Sequence, residues 1–598
     1  MKFLIAGVET SEDFSLLLFM FGRHRQSCLL RRLTMNPRNV PMRRLLLSSC
    51  VALSLAGSGG FLAPALISAD IPVPAPMVMP DDTAYAVVVI PDLLATLGRI
   101  EAIADLFAPG KMPKGSLKAQ LGNMLGDPEL ANFTGKPVVI VVGPGAPTPS
   151  FALLVPAKDP QMYLDAAVNF DLLLGKAVDG IAVMTKTPDG EILGEKIAKA
   201  YPNLVKAGPK GDIRFLIAPD KLSQAYGGML GMFAQMAAGQ GGNPEAAQLM
   251  GLELAGMMAM AADVTSVQLD LRLDAAGIIG EEFTIAAKPG SAFATALAAP
   301  AAVVGPRAAS RLGAEPSLMS MSGRVNWNAM STYTGKILDD LKAKPEGKEL
   351  ISDELIATVK AWGATLTGDS AFRLRSVDSE TMPFQWDGLY GCADSVKAEA
   401  NVDSVFKLLA PGTTMGKMYE RMGMTMSLAK AKRKSPSGVP VHKVSMTLDE
   451  TKLPPAQAQQ MKMWTQGYEL AMPKGWFVMA QDPAQLDSII AGTGKGMSTA
   501  AEKAIGAGRH IYGDVDLIGF VRATMKMSGM DAMVQIPDTV KSGDPISMAS
   551  TVANGRAFIE VQWPLAPLAE LAKAMNGGGG RRGRGNVQQP PPDQDPAF

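Results

Sequence analysis

The chain has 598 residues, of which 47% are hydrophobic and 19% charged, enough to form real cores and to exclude wholesale disorder. The formal net charge is zero, but residues 1–69 carry eight basic and three acidic side chains, so the remaining chain carries about −5. A mildly acidic body excludes a general nucleic-acid binder, which would need a basic surface. The length indicates more than one domain or one large duplicated body.

Residues 1–69 predict a leader. From Met42 the chain has a basic start, an apolar run and a small-residue ending at Ser68-Ala69, which is the layout of a secretory signal peptide. We therefore expect an exported protein, periplasmic or extracellular, with its natural start at Met35 or Met42. Two alternatives remain open: an uncleaved leader would anchor the protein in the membrane, and "LSSC", ending at Cys50, has the residue types of a lipobox.

Residues 70–305 predict a first α+β repeat. Apolar runs predict the strands "AYAVVVI", "PVVIVVG", "SFALLVP", "GIAVMTK" and "DIRFLIA", and helical spacing predicts "LLATLGRIEAIADLF", "QMYLDAAVNFDLLL" and "EKIAKAYPNLV". A hairpin around Ala276-Gly277 and a helix "SAFATALAAP" close the repeat. The first strand of this hairpin alternates apolar with polar residues, which predicts that one face of the strand is buried and the other is solvated. The apolar set is Val267, Leu269, Leu271 and Leu273, against Gln268, Asp270 and Arg272.

Residues 306–575 predict a second repeat with the same order of elements. We match "GVPVHKVSMT" to "GIAVMTK", and Trp476–Ala480 to Ile213–Ala218, and a hairpin at Asn554-Gly555 again precedes a closing helix. "RHIYGDVDLIGFVRATM" is then an extra strand–helix unit, and a helix should begin near Asp403. Residues 576–598, rich in Gly, Arg and Pro, predict a disordered tail.

These patterns predict an internally duplicated α+β protein with mostly antiparallel sheets, each covered by helices on one face. The run "PDDTAYAVVVIPDLLATLGRI", with its later strand–Asp–helix units, resembles uncharacterised exported bacterial proteins with a duplicated α+β body. That family has no assigned function, so the resemblance implies export and architecture and no site residues.

Five aspartates stand between an apolar strand and a helix: Asp92, Asp159, Asp220, Asp482 and Asp516. A carboxylate at that position caps the free backbone N–H groups of the helix and suits its positive end. One structural role explains all five, whereas catalysis would not need so many copies. We predict caps.

Few residues suggest enzymatic chemistry. His442 and His510 are the two histidines beyond the leader, and no zinc motif accompanies either, so we expect half-exposed strand residues, no metal and no cofactor. "AGTGKGMST" around Lys495 fails the phosphate-loop pattern. Cys392 is the one cysteine beyond the leader, which excludes an intramolecular disulfide in the mature chain.

Methionine is unusually abundant, with 38 residues grouped in Ala- and Gly-rich stretches. Met side chains re-pack around varied apolar partners, so these groups predict either loosely specified core or an adaptable ligand or partner surface. The candidate surface residues are Met229, Met232, Met236, Met257, Met258, Met418, Met422, Met426, Met525 and Met530. The basic segments Lys430–Gly438 and Arg581–Gly585 predict solvated loops.

The leading hypothesis is a non-enzymatic envelope protein that binds or scaffolds another envelope protein. The alternative is a carrier of a lipid or other hydrophobic ligand, with Met-rich helices along a groove between the halves. An enzyme of unidentified class is a third hypothesis, which a polar cleft joining His510, Asp514 and basic side chains would favour. We expect membrane contact only through an uncleaved leader.

Overall fold

A computed structural model describes residues 79–577 apart from 146–147, 171, 207–210, 241–243, 275, 299–306, 313–316, 380–382, 422, 453–464, 466, 494–503, 505–507 and 528–535. The predicted leader, Lys495 and residues 578–598 of the predicted tail therefore lie outside the described residues, whereas residues 576 and 577, also expected in the tail, are helical. In the part of the chain that is described, no helix is long and apolar enough to cross a membrane.

The strands of the first half are β1 (Ala86–Ile90), β2 (Val138–Gly143), β3 (Ser150–Pro156), β4 (Leu174–Val178), β5 (Ile181–Thr185), β6 (Ile213–Ile217), β7 (Val264–Asp274) and β8 (Ile278–Ala287). Its helices are α1 (Leu93–Phe107), α2 (Ser116–Met124), α3 (Pro160–Ala166), α4 (Pro188–Lys206), α5 (Pro219–Gln240), α6 (Pro244–Ala262) and α7 (Ala292–Ala296).

The strands of the second half are β9 (Met319–Arg324), β10 (Leu366–Ser376), β11 (Phe384–Cys392), β12 (Met424–Lys434), β13 (Pro440–Leu448), β14 (Tyr468–Ala471), β15 (Trp476–Ala480), β16 (Ile511–Val515), β17 (Ile546–Ala553) and β18 (Arg556–Pro564). Its helices are α8 (Ala308–Leu312), α9 (Trp327–Lys342), α10 (Pro345–Lys348), α11 (Asp353–Thr365), α12 (Ser395–Leu408), α13 (Thr414–Arg421), α14 (Pro483–Ala491), α15 (Leu517–Met527) and α16 (Leu565–Gly577).

All these strands form one sheet in which every pairing is antiparallel. The strand order is β4-β5-β3-β2-β1-β6-β7-β8-β18-β17-β16-β9-β10-β11-β15-β14-β13-β12. The α+β class and the antiparallel pairing are confirmed. The expected separate sheets are instead one continuous sheet, because β8 of the first half pairs with β18 of the second along their whole length.

The two halves share one strand order. From β1 the neighbours run β2-β3-β5-β4 on one side and β6-β7-β8 on the other; from β9 they run β10-β11-β15-β14 and β16-β17-β18. The matches that we made from sequence order are therefore wrong. β15 (Trp476–Ala480) takes the place of β5, and β16, predicted as extra, takes the place of β6. The added unit is the hairpin β12–β13. Because we matched β13 to β5, we matched β15 to β6, which is one strand too far along the first half.

At the junction of the halves the contacts are reciprocal. Glu282 of β8 lies directly opposite Glu560 of β18. The backbone N–H of Leu565 donates to Gly277 O at 2.7 Å, and that of Ala287 donates to Gly555 O at 2.9 Å. Each half also ends in a helix that packs on the helix that follows the central strand of the other half: α16 packs on α1, which follows β1, and α7 packs on α9, which follows β9.

Helices cover both faces of the outer strands, contrary to the expectation of one covered face. Val88 packs with Leu93 and Leu97 of α1 on one face. Its neighbour Val87 packs with Leu193 and Ile197 of α4 on the other, since successive strand residues point to opposite faces. Burial on both sides explains why β1 and β2 are continuous apolar runs in the sequence.

Four of the five predicted caps are confirmed. The carboxylates of Asp92, Asp159, Asp482 and Asp516 accept a backbone N–H from the first turn of α1, α3, α14 and α15. Asp220 is the exception, because α5 begins at Pro219 and Asp220 is already inside its first turn. The hairpin turn at Asn554-Gly555 is also confirmed, and both residues have positive φ, as a two-residue type I′ turn requires.

Other boundaries differ from the prediction. The helix expected to reach Leu174 ends at Ala166, with a 3₁₀ turn at Ala167–Phe170, and β4 follows. The helix expected near Asp403 begins at Ser395, because Asp394 supplies its cap. The basic segment from Lys430, expected in a loop, continues β12 to Lys434 before the turn into β13.

Candidate functional site

The burial of β7 is the reverse of the sequence prediction from Ser266 to Leu271, whereas Arg272 is exposed and Leu273 buried as predicted. Its polar residues Ser266, Gln268 and Asp270 are buried, whereas the apolar Val267, Leu269 and Leu271 are only half-buried. The polar face is tolerable inside because Arg214 Nε donates to Asp270 Oδ1 at 2.6 Å and Gln268 Nε2 to Asp270 Oδ2 at 2.6 Å. A satisfied, charge-assisted pair can be buried where an unpaired charge cannot.

The half-buried apolar face extends over five adjacent strands, β6, β7, β8, β18 and β17. Across the middle, Phe215 lies opposite Leu269, Leu269 opposite Phe283, and Phe283 opposite Ile559. We call this face the central apolar surface. Its half-buried apolar residues are Ile213, Phe215, Ile217, Val267, Leu269, Leu271, Phe283, Ile285, Met548, Ile559 and Val561.

Helices border the central apolar surface without sealing it. α1, α5 and α6 contact β7, and α7 contacts β8. At the margins, Phe215 packs into the core of the first half, and Ile285 and Met548 pack near α7. The residues of the middle, Leu269, Phe283 and Ile559, join none of the core clusters formed within the described ranges.

Polar groups on this surface are few. Glu281, which lies between Leu271 and Val561, is an acidic residue on the central apolar surface. The indole Nε1 of Trp563, on β18, is buried and has no hydrogen-bond partner among the residues described. An apolar surface with one carboxylate and one free N–H donor suits an apolar ligand that carries a small polar group.

The opposite side of the same strands is a central polar surface. Its members are Arg214, Gln268, Asp270, Glu282, Thr284, Glu560, Thr551, Tyr512, Ser322, Arg324, Asp369 and Arg373. Glu282 and Glu560, directly opposite each other, each have a basic partner, Arg272 at 3.9 Å and Arg509 respectively. Further along, Arg373 Nη2 donates to the fully buried Asp387 Oδ2 at 2.8 Å. Ion pairs hold this side of the sheet together.

The ten candidate methionines do not meet at one site. Met229, Met257 and Met258 belong to the α5–α6 pair, where the Met258 side chain packs against Gly227 and Met229 and Met257 are exposed. Met426 is on β12 at the far edge of the sheet, and Met525 is buried in α15. Met422 and Met530 lie outside the described residues, as do the side chains of Met232, Met236 and Met418.

The methionines that reach the central region were not among the candidates. Met548 is on the central apolar surface, and Met319 and Met321 follow on the same face of β9. The signal was present in the sequence as period-two alternation along "FIEVQW" of β18 and "VQLDLRL" of β7. This alternation does not tell which face of the strand is buried, because that depends on residues from other strands.

Both histidines are buried, so the expected half-exposed position is wrong. His442 Nε2 lies 3.1 Å from Glu399 Oε1. His510 Nδ1 accepts the backbone N–H of Val552 at 3.0 Å. Burial, with Arg324 and Arg509 nearby, lowers the pKa of His510 to about 3.

His510 and Asp514 face the same side of the sheet, but they are four positions apart in the chain, which is about 13 Å along a strand. Asp514 instead accepts a hydrogen bond from Ser320 Oγ at 2.7 Å, and burial raises its pKa. The two side chains therefore form no acid–base pair. Within the described ranges, no group of three His, Cys, Asp or Glu residues could hold a metal ion.

A cleft of about 220 Å³ lies between the β5 side of the sheet and α4. Its charged groups, Lys136, Asp179 and Lys199, are exposed to solvent. Its buried Tyr201 hydroxyl is already engaged and donates to Pro137 O at 2.6 Å. Solvated charges give a ligand little gain, so the central apolar surface is the stronger candidate.

No protein-family model, curated protein or solved structure matches this chain. The resemblance to exported bacterial proteins with a duplicated body stays a prediction from the residues that carry it.

Proposed function

We propose that this is an exported envelope protein that carries an elongated hydrophobic ligand, such as an acyl chain, on the central apolar surface. The observation that supports it is the apolar face left half-buried across the central strands, with inverted burial along β7. Leu269, Phe283 and Ile559 remain half-buried in the middle of the sheet, whereas Gln268, Asp270 and Thr284 on the other face are buried. A sheet that needed this face only for its own core would seal it.

The size and chemistry of the surface favour an elongated ligand. Strands lie about 4.8 Å apart, so five adjacent strands span about 19 Å. Complete burial of a large apolar side chain is worth roughly 1.5–3 kcal/mol, so each half-buried residue that a ligand covers adds on the order of 1 kcal/mol. Several such residues outweigh the cost of ordering a flexible chain.

We further infer that the two halves arose by duplication, with boundaries near residues 70–305 and 306–575. The shared strand order and the reciprocal hydrogen bonds at Gly277 and Gly555 support this inference. The central apolar surface crosses the junction of β8 and β18, so both halves contribute to it. Neither half alone presents the complete surface.

Native mass spectrometry with organic extraction tests the proposal. The chain from Asp70 to Phe598 would be produced by secretion, as wild type and as Phe283→Glu, which places a charge in the middle of the surface. Val396→Glu is the matched control, since Val396 is 75% exposed on α12. We expect a stoichiometric apolar molecule in the wild type and in the control, and its loss in Phe283→Glu.

A wild-type chain that is free of ligand and does not take up added fatty acid would contradict the carrier. In that case the scaffolding hypothesis takes its place, and the search turns to a protein partner. Retention of the same ligand by Phe283→Glu would place the ligand elsewhere and would equally contradict the assignment to this surface.

A further inference from the structure

Arg324, on the central polar surface, is a buried basic residue with few interactions that stabilise its charge. It is the last residue of β9 and is 5% exposed. Its Nε is buried without a hydrogen-bond partner, and its guanidinium makes no hydrogen bond to any other residue that the structure describes. Burial and the nearby Arg307 lower its pKa, and Asp369 opposes that effect.

The acidic neighbour of Arg324 is already committed. Asp369, directly opposite Arg324 on β10, accepts the backbone N–H of Ala308 at 2.6 Å. Its Oδ1 lies 3.4 Å from Arg307 Nε. Two guanidinium groups therefore share one carboxylate, and the local charge is positive.

The other flank of Arg324 supplies no compensating anion. His510 lies opposite Arg324 on that side, and at neutral pH it is uncharged because its pKa is lowered. Arg509, next in the chain, is paired with Glu560 and donates to Thr551 Oγ1 at 3.3 Å. Asp514 is two strand positions beyond Tyr512 and is hydrogen-bonded to Ser320.

Two hydroxyl groups stand beside Arg324 on the same face. Ser322 is two residues earlier on β9, and Tyr512 lies directly opposite Ser322 on β16. Both residues are more than nine-tenths buried. Ser322 and Arg324 lie on one face of one strand, so the hydroxyl and the guanidinium can reach one small group. Tyr512, whose Cβ is about 5 Å from that of Ser322, borders this group on the side of Asp514. Burial and the Asp514 carboxylate raise the pKa of Tyr512.

We propose that Arg324, Ser322 and Tyr512 form a binding site for a small oxyanion, a carboxylate or phosphate group of a soluble ligand. A buried, unpaired guanidinium is costly, and an oxyanion would supply both the charge and the acceptors that it lacks. The hydroxyls serve as additional donors. This site lies on the opposite side of the sheet from the central apolar surface and does not depend on a hydrophobic ligand.

Isothermal titration calorimetry of the mature chain with inorganic phosphate, and separately with acetate, tests the site at constant ionic strength. We expect saturable binding of at least one anion by the wild type at millimolar concentrations, and the stronger of the two identifies the ligand class. Arg324→Met removes the charge and should weaken binding at least tenfold, with Tyr512→Phe weakening it a few-fold.

Arg272→Met is the control, because Arg272 is an exposed arginine on the same face, and it should bind the anion as the wild type does. Circular dichroism checks that each variant is folded. If Arg324→Met does not fold, the NMR chemical shift of the His510 imidazole is measured in the wild type instead. We expect this chemical shift to change when the anion is added. Absence of saturable binding by the wild type, equal binding by a folded Arg324→Met, or a His510 shift that does not respond would each overturn the proposal.

Discussion

The two faces of the central strands differ in a way that composition does not suggest. Most of the central polar surface is buried, and charge-assisted pairs such as Arg214–Asp270 and Arg373–Asp387 hold it. The central apolar surface, on the other side of the same strands, stays half-buried between helices that border it. The proposed hydrophobic ligand and the buried ion pairs thus lie on opposite faces of one sheet.

The difference shows that polarity alone does not decide which face of a strand is inside. A buried carboxylate is stable when a guanidinium from the next strand meets it with two hydrogen bonds, as Arg214 meets Asp270. An apolar face can stay accessible when the covering helices diverge, and such surfaces mark ligand or partner sites.

The largest expected effect is on the polar side. Asp387→Ala leaves two buried arginines, Arg373 and Arg375, without the carboxylate that they share. We expect the free energy of unfolding to fall by about 3–5 kcal/mol. Urea denaturation measures it, with Glu570→Ala as the exposed control, whose pair with Lys573 is worth about 0.5 kcal/mol or less. Similar losses in both variants would contradict the structural role of the polar face.

Two leucines compare the faces directly. Leu216 is fully buried among the residues that pack on α4, so Leu216→Ala should cost about 2–5 kcal/mol of unfolding free energy. Leu269, on the adjacent strand β7, belongs to the central apolar surface, and Leu269→Ala in the ligand-free protein should cost only about 1 kcal/mol. Equal costs by urea denaturation would mean that the apolar surface is an ordinary core.

The polar face should also be sensitive to acid through His510. Its pKa is about 3 in the folded protein and about 6.5 when unfolded, so the unfolded state binds the proton first as the pH falls. Stability is thus present above pH 6.5 and lost below it, by about 2 kcal/mol between pH 7.5 and pH 5. His510→Gln should reduce the acid-induced loss by that amount, as measured by urea denaturation at the two pH values. An unchanged pH dependence in His510→Gln would argue against the buried, neutral imidazole.

The smallest effect concerns the helices beside the two faces. Asp482 caps α14, which packs on the polar side of the sheet, so Asp482→Ala should cost about 1 kcal/mol. Asp220 stands inside the first turn of α5, which borders the apolar surface, so Asp220→Ala should cost only a few tenths. Melting temperatures of the two variants test this ranking, and an equal or larger loss for Asp220→Ala would refute it.

Local features were predictable from the sequence where one short segment decides them. The alternation along β7, the turn at Asn554-Gly555 and the caps at Asp92 and Asp482 depend on neighbouring residues, and the structure has them. β4 was missed because its middle residues, Gly175–Ala177, are exposed and carry no apolar periodicity.

Features that depend on distant residues were not predictable. The inward position of Asp270 requires Arg214, which arrives from another strand, and the strand order depends on the inserted hairpin β12–β13. The candidate site was the feature that the sequence predicted least well. The methionine clusters marked helices, whereas the half-buried surface is assembled from single residues of five strands, and only Met548 among its members is a methionine.

The most direct measurement of the central claim is cysteine labelling on β8, in the chain from Asp70 to Phe598, whose one cysteine, Cys392, is buried. Phe283 and Thr284 are adjacent but point to the apolar and polar faces respectively. We predict that Phe283→Cys reacts rapidly with a small apolar maleimide and is protected by added fatty acid, while Thr284→Cys stays unreactive in the folded protein. A reactive Thr284→Cys beside an unreactive Phe283→Cys would contradict the account.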